Sequence, residues 1–414
     1  MLGSTAFLLR ADLKDLMMLV KGSVGSGRKL LALLAVVGFA DFIFGATFVS
    51  QMLAAGVGPA VASLAVSIAG LVSVVVEVPS GVLGDKYGHK RLTVSGLLAW
   101  GLGLVAFGVS TSTWMFVCSL LLWGIGMSLF SGAPGALVVN ELRANGREDV
   151  IPRLVARIHI AHWVASAAGA CSVFLVGERV SAPGLVVVAG VLLVVLCVWV
   201  CLTWGNGVKT SGLRITETFS LAIKYSWRKA RLPLVYGVLL GMLQGILVLS
   251  WQPLILEVGS GRASTLGLAL FFLSLAAALG SWFAERLVRV GRNLVTFGSL
   301  LLLASGLILA AGGGLGAYAG IGIAELGIGL GLAVVSMWQH EVFEDSVRNT
   351  QLSLASASGA IGMAAAQAVF GLNWERWGLG PSLVSACVMV SLLGLLAQGI
   401  AVMTRLRTRA EGGA

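Results

Sequence analysis

Twelve long apolar runs, each ended by a short polar segment, make up most of the chain. They fall at residues 30–54, 58–82, 91–110, 114–138, 156–178, 184–204, 233–256, 264–284, 294–313, 315–338, 352–372 and 379–403. A helix that crosses a bilayer needs about 20 mostly apolar residues. The pattern therefore predicts twelve transmembrane helices, helix 1 to helix 12 in chain order. The polar segments alternate in charge. Arg10, Lys14, Lys21, Arg28 and Lys29 precede helix 1, Lys86, Lys90 and Arg91 follow helix 2, and Arg143, Arg147, Arg153 and Arg157 surround the turn after helix 4. Lys209, Arg214, Lys224, Arg228, Lys229 and Arg231 follow helix 6, and Arg286, Arg289 and Arg292 follow helix 8. Arg348 follows helix 10, and Arg405, Arg407 and Arg409 end the sequence. Of 28 Lys and Arg residues, only Arg179, Arg262 and Arg376 fall on the other side. Cationic loops stay in the cytoplasm. The bias predicts a multi-pass protein of the cell membrane with both termini and every even-numbered linker cytoplasmic.

Composition agrees. The 414 residues are 57% hydrophobic and 11% charged, against about 45–50% and about 25% in soluble domains. So much apolar surface needs lipid as its main solvent, and twelve spans of about 20 residues leave no room for a large soluble domain. The net charge of +10 is accounted for by the cytoplasmic loops, so no nucleic-acid partner is implied. The five cysteines, Cys118, Cys171, Cys197, Cys201 and Cys387, lie inside apolar runs without metal-ligand spacing. No metal, cofactor or nucleophile–base constellation is expected, and the chain does not read as an enzyme. The mixed charges of the first 28 residues argue against a cleavable signal peptide.

The longest linker divides the chain into two halves. The expected organisation is a cytoplasmic tail at 1–29, a six-helix bundle at 30–204, a cationic linker at 205–232, a second six-helix bundle at 233–404 and a tail at 405–414. The linker stretch "ETFSLAIKYSWRKARL" has the composition of a surface helix lying on the inner leaflet. The halves resemble each other: Asp41 precedes Gly56 by 15 residues, and Gln244 precedes Gly259 by 15. Duplicated halves with a site between them are the usual build of secondary transporters.

One polar segment is unusual. "GVLGDKYGHKR" (81–91) follows "EVPS" and combines Gly81, Gly84, Asp85, Gly88 and Arg91 in a short turn after helix 2. Gly81 and Gly84 allow a neighbouring helix to approach closely, and Gly88 permits a tight turn. Asp85 can pair with Arg91 or with helix N-terminal amides. The spacing resembles the signature loop of the major facilitator superfamily, and "VRNTQLS" (347–353), "FSGAPGAL" in helix 4 and "WQPLILEVG" in helix 7 extend the resemblance along the chain. The resemblance implies an all-α membrane protein of two pseudo-symmetric bundles working by alternating access. It makes the loop a conformational latch, joined by an acid at the end of helix 4, here Glu141. The basic residues of the loop also serve topology alone.

Three carboxylates fall within predicted helices: Asp41, Glu77 and Glu325. A charged group at a helix centre costs about 2.5–3.5 kcal/mol on insertion scales, so such acids are functional by default. A carboxylate isolated in a dry cavity favours its protonated form and can carry a proton or, when ionised, hold a cationic substrate. Glu77 is equally placed to join the nearby loop. Helices 1, 4, 7 and 10 line the cavity in the resembled family. The corresponding wall here holds Phe44, Phe48 and Gln51 on helix 1, Trp123 and Met127 on helix 4, and Gln244, Trp251 and Gln252 on helix 7. An apolar wall with few polar groups suits amphiphilic compounds. His162 in helix 5 is a minor proton-relay candidate.

Two departures separate this chain from drug–proton antiporters of that family. Leu120 stands where they carry an Arg in helix 4, and "SAAGACSVFLVG" (166–177) lacks their proline. "GSVGSGRKL" (22–30) lacks the Gly-Lys-Ser/Thr of a phosphate loop. The expectation is proton-coupled efflux of a small amphiphilic compound by a monomer in the bilayer. Uptake of a nutrient by symport or facilitation, or a transporter-like sensor, are the alternatives.

Overall fold

The computed structural model describes residues 25–147, 150–205, 230–259, 262–343 and 348–411, apart from some side chains. Most of the expected N-terminal tail and residues 206–229 of the linker lie outside the described residues. Twelve helical spans are present: α1 (Gly25–Ala54), α2 (Pro59–Tyr87), α3 (His89–Gly108), α4 (Thr113–Ala144), α5 (Ile151–Val176), α6 (Ala182–Thr203), α7 (Arg231–Val258), α8 (Ala263–Leu287), α9 (Arg292–Ala310), α10 (Leu315–Val342), α11 (Arg348–Trp377) and α12 (Leu379–Glu411). Eleven spans contain a stretch long and apolar enough to cross a membrane, and the apolar part of α5 is the shorter Ile160–Val176. In lipid a spanning segment must satisfy its own peptide groups, which helices do. Val75, Leu202 and Leu396 point outward at 71%, 80% and 61% exposure, a surface suited to lipid.

Three boundaries differ from those read along the chain. α1 is broken at Ala46–Thr47 and α4 at Ser131–Gly132, so each consists of two helices. α12 continues to Glu411, through residues expected to form a tail. The turn after α2 also contracts. Helix extends through Gly81, Gly84 and Asp85, and Gly88 alone reverses the chain at φ +97° before α3 begins at His89. That φ favours glycine. A Cβ on Gly84 would lie 2.6 Å from His89 Nδ1, so Gly84 makes room for the first side chain of α3.

The halves repeat one packing plan. In the first, α1 packs on α5, α2 on α4, and α3 on both α4 and α6; in the second, α7 packs on α11, α8 on α10, and α9 on both α10 and α12. One constant spacing pairs Asp41 with Gln244, Gly88 with Gly291 and Lys90 with Asn293. Gly291 repeats the positive φ at +136°. Lys90 Nζ donates to the carbonyls of Cys201 (3.0 Å) and Trp204 (2.5 Å) at the end of α6, where Lys29 Nζ donates to Thr203 O at 2.6 Å. Cations at a helix C-terminus complement its dipole. In the second half Asn293 Nδ2 (2.5 Å) and the Tyr236 hydroxyl (3.0 Å) donate to Gln398 Oε1 of α12. The same join is made first with charge and then with neutral amides.

Candidate functional site

We call the end carrying Gly88 and Gly291 the basic end, and the opposite one the far end. Among the described residues, several contacts join the two bundles in the far half. Gln252 of α7 reaches α1, where its Oε1 accepts the Ser50 N–H at 2.9 Å and its Nε2 donates to Gly45 O at 2.9 Å. Glu375 of α11 accepts the Ala60 N–H of α2 at 3.0 Å. The Ser67 hydroxyl of α2 lies 2.9 Å from Ala364 O of α11, and Arg262 before α8 pairs with Glu178 after α5 at 3.1 Å. Glycines let the helices meet closely here: a Cβ on Gly267 of α8 would lie 2.5 Å from the Phe174 nitrogen of α5.

Toward the basic end, the second bundle holds a cleft of about 360 Å³ between α7, α10 and α11. Gly237, Gly241, Gln244, Ser336, Gln339 and Ser356 line it, with apolar side chains between them. Its lining carries no charged residue. The Gln244 amide makes no hydrogen bond among the described residues, so it is available to a ligand.

Asp41 occupies the matching level of α1. It lies within the bundle and is half-buried. The side chain facing its carboxylate is Trp123 of α4. The indole Nε1 is nevertheless outside ordinary hydrogen-bond geometry, so the two polar groups adjoin without a made bond. Asp41 has no ion-pair partner among the described residues. Gly38, one turn earlier, receives His162 of α5: a Cβ there would lie 2.8 Å from His162 Nδ1. This puts the His162 ring on the same side of α1, near Asp41.

The other expected residues are dispersed. Phe44 and Phe48 are buried in an aromatic cluster, with Phe44 ring centroids 5.1 Å from Phe48, 5.0 Å from Phe107 and 5.5 Å from Trp123. Trp251 and Gln252 are buried, Gln252 wholly. Gln51 donates to the Thr47 hydroxyl at 2.7 Å and borders a separate far-end cleft of about 380 Å³. Met127 is half-buried on α4 and Glu325 half-buried on α10, the latter without a hydrogen-bond partner among the described residues. Glu77 is exposed. In the loop, Arg91 is exposed and forms no ion pair among the described residues, while Glu141 accepts the Ser26 hydroxyl of α1 at 2.7 Å. The Asp85 side chain lies outside the described residues.

Glu375, Ser67 and the Arg262–Glu178 pair were not singled out along the chain. A signal for Glu375 exists at its partner. Gly58 caps α2 without a side chain and Pro59 lacks an N–H, so Ala60 is an exposed donor awaiting an acceptor.

The chain resembles known proteins in sequence and in shape. The Major Facilitator Superfamily sequence model matches residues 30–366. A search of curated proteins returned no match. Among solved structures, the nucleoside transporter NupG superposes with a TM-score of 0.75 at 14% identity, covering 91% of this chain and 99% of that one. A bacterial homologue of the human lysosomal transporter Spinster gives 0.72 at 14% identity, with 93% and 99% covered. A peptide transporter POT in complex with sulfate gives 0.70 at 16% identity, with 92% and 95% covered. Identities this low speak to the fold alone; the sequence match, spanning both bundles, makes this chain a member of the Major Facilitator Superfamily of transporters.

Proposed function

We propose that this transporter exchanges protons for a small amphiphilic compound by alternating access, and that the exchange exports the compound. Asp41 is the observation that carries the reading. It is a carboxylate inside the bundle, half-buried, flanked by Trp123, and without an ion-pair partner among the described residues. Intramembrane acids are retained for function. A single group that holds either a proton or the cargo couples the two in opposite directions, so an inward proton gradient drives the cargo out.

The surroundings support an amphiphilic cargo. Trp123 and Met127 offer apolar contact, and Gln244, Gln339, Ser336 and Ser356 offer uncharged hydrogen bonds. Gln244 stands in the second half where Asp41 stands in the first, so the pair would face one cargo with one acid and one amide. Glu325 serves as a second polar contact. With the basic end in the cytoplasm, the far-end joins describe an inward-facing state. Gly81, Gly84, Asp85, Gly88, Arg91 and Glu141 would latch the basic end in the opposite state.

The test is flux in liposomes with an imposed pH gradient, using a panel of amphiphilic dyes. Wild-type protein should show dye-dependent proton flux opposite to dye movement, and Asp41→Asn should lose it. Undiminished proton flux in Asp41→Asn overturns the coupling role. Dye and protons moving together overturn export in favour of uptake symport.

A further inference from the structure

α1 is interrupted just beyond Asp41. A continuous helix would bond the Val49 N–H to Gly45 O and the Ser50 N–H to Ala46 O. The chain instead turns at Ala46–Thr47, and the Gln252 side chain takes one member of each pair. Its Oε1 accepts the Ser50 N–H and its Nε2 donates to Gly45 O, both at 2.9 Å. Gln252 is 0% exposed, and the Gly45 and Ser50 positions it reaches are half-buried. An amide carries, at every pH, both the acceptor and the donor that this gap needs. The partner in both bonds is a residue of the other bundle, about 200 positions away in sequence.

We propose that Gln252 is a removable splice in α1. While the far end is closed, the amide substitutes for the missing helical rungs and keeps α1 broken. When the bundles part there, Gln252 withdraws, and Gly45 O and Ser50 N–H, both half-buried, lose this partner unless the helix rewinds. Peptide groups left unpaired in a membrane are costly, so rewinding follows parting. Asp41 lies one turn before Gly45, so rewinding turns its carboxylate relative to Trp123 on α4. Gln252 is thus a positioning residue: it links closure of the far end to the setting of Asp41. Pro253, next in sequence, removes one rung of the α7 ladder and eases the matching movement of α7. The inference rests on the alternating-access reading and is independent of proton coupling.

The test uses full-length protein in nanodiscs with spin labels at Val109→Cys and Leu315→Cys. Both are exposed far-end positions, at 54% and 86%, in the first and second bundles. Gln252→Leu keeps much of the bulk and loses both bonds. The parted population should rise roughly tenfold, two part-buried hydrogen bonds between the bundles being lost. Gln252→Glu is the discriminating variant. Its protonated acid supplies a donor and an acceptor, whereas its carboxylate lacks the donor and opposes Gly45 O. The far end should therefore stay closed at acidic pH and part as pH rises. Asp41 of α1 and Glu257 of α7 are the carboxylates of these two helices and are common to all variants. The readout is accordingly each variant against wild type at the same pH. A Gln252→Leu distribution equal to that of a wild type that does move overturns the splice, as does a Gln252→Glu protein that behaves like Gln252→Leu at every pH. A wild-type distance that stays fixed under every pH and dye condition overturns alternating access itself.

Discussion

The bond between Glu375 and Ala60 allows the strength of the far-end closure to be worked out. α2 begins with a glycine cap and a proline, so Ala60 provides one of the first backbone donors without a helical partner. Glu375 supplies the acceptor from α11, in the other bundle, at 3.0 Å. Glu375→Ala removes it. Losing an N-cap acceptor costs about 0.5–2 kcal/mol, typically ~1. Because the cap spans the bundles, the whole cost falls on the closed state. A loss of ~1 kcal/mol corresponds to roughly a fivefold rise in the parted population, 1.4 kcal/mol being about tenfold. Glu375 is exposed, so salt screens its charge, and the hydrogen bond carries most of the effect. Arg262–Glu178 offers the contrast. Its side chains are 64% and 58% exposed, and such pairs contribute about 0–1 kcal/mol and fade with salt. Arg262→Ala should therefore change the population less than Glu375→Ala does, and its effect should fade at high salt. Glu375→Gln, which keeps an acceptor oxygen, should fall between wild type and Glu375→Ala. The distance between labels at Val109→Cys and Leu315→Cys reports all three. Equal shifts for Glu375→Ala and Arg262→Ala, or no shift in Glu375→Ala, would refute the assignment of closure to the cap.

Two further outcomes are expected in stability measurements. At Gly126 of α4 a Cβ would lie 2.7 Å from Trp100 Cα and 2.8 Å from Gly96 O of α3, and closer still to Trp100 N. Gly126→Ala should therefore lower stability by about 1–3 kcal/mol, whereas Gly298→Ala, whose Cβ meets nothing within 4 Å, should be neutral or slightly stabilising. Thermal unfolding in detergent checks the pair, and equal melting temperatures would contradict the packing. Lys90→Met should cost about 0.3–1 kcal/mol by uncapping the carbonyls of Cys201 and Trp204 at the end of α6. Hydrogen exchange should show the increase confined to the last turn of α6, and unchanged exchange there would remove the capping role.

How much of this was legible along the chain depends on whether a signal is local. The twelve spans are local: each is a run of apolar residues long enough for a bilayer, and α7 or α10 needs no knowledge of its neighbours to be found. Gly88 is local too, because a helix that reverses within one residue requires a positive φ, and its counterpart Gly291 sits in the same register. The break in α4 carries a local mark, Gly132 and Pro134 at the start of its second helix, but the break in α1 was not legible. "FGATFVSQ" contains no proline, and its interruption is satisfied by an amide that the sequence places far away. Phe44 and Phe48 share a face with Asp41, but helical spacing cannot tell a cavity wall from a ring cluster; Phe107 and Trp123, from α3 and α4, decide that Phe44 is packed.

Sequence by itself determined the solvent, the number of spans, the division into halves and the basic end, because these follow from how apolar and charged residues are spread along one dimension. Tertiary structure alone decided which residues join the bundles at the far end. Closure depends on Gln252 meeting Gly45 and Ser50, on Glu375 meeting Ala60 and on Ser67 meeting Ala364. Each of these bonds pairs a side chain with a backbone group, and every residue has a backbone. Pairings of that kind leave no mark in residue type, so only the packing of the two bundles reveals them.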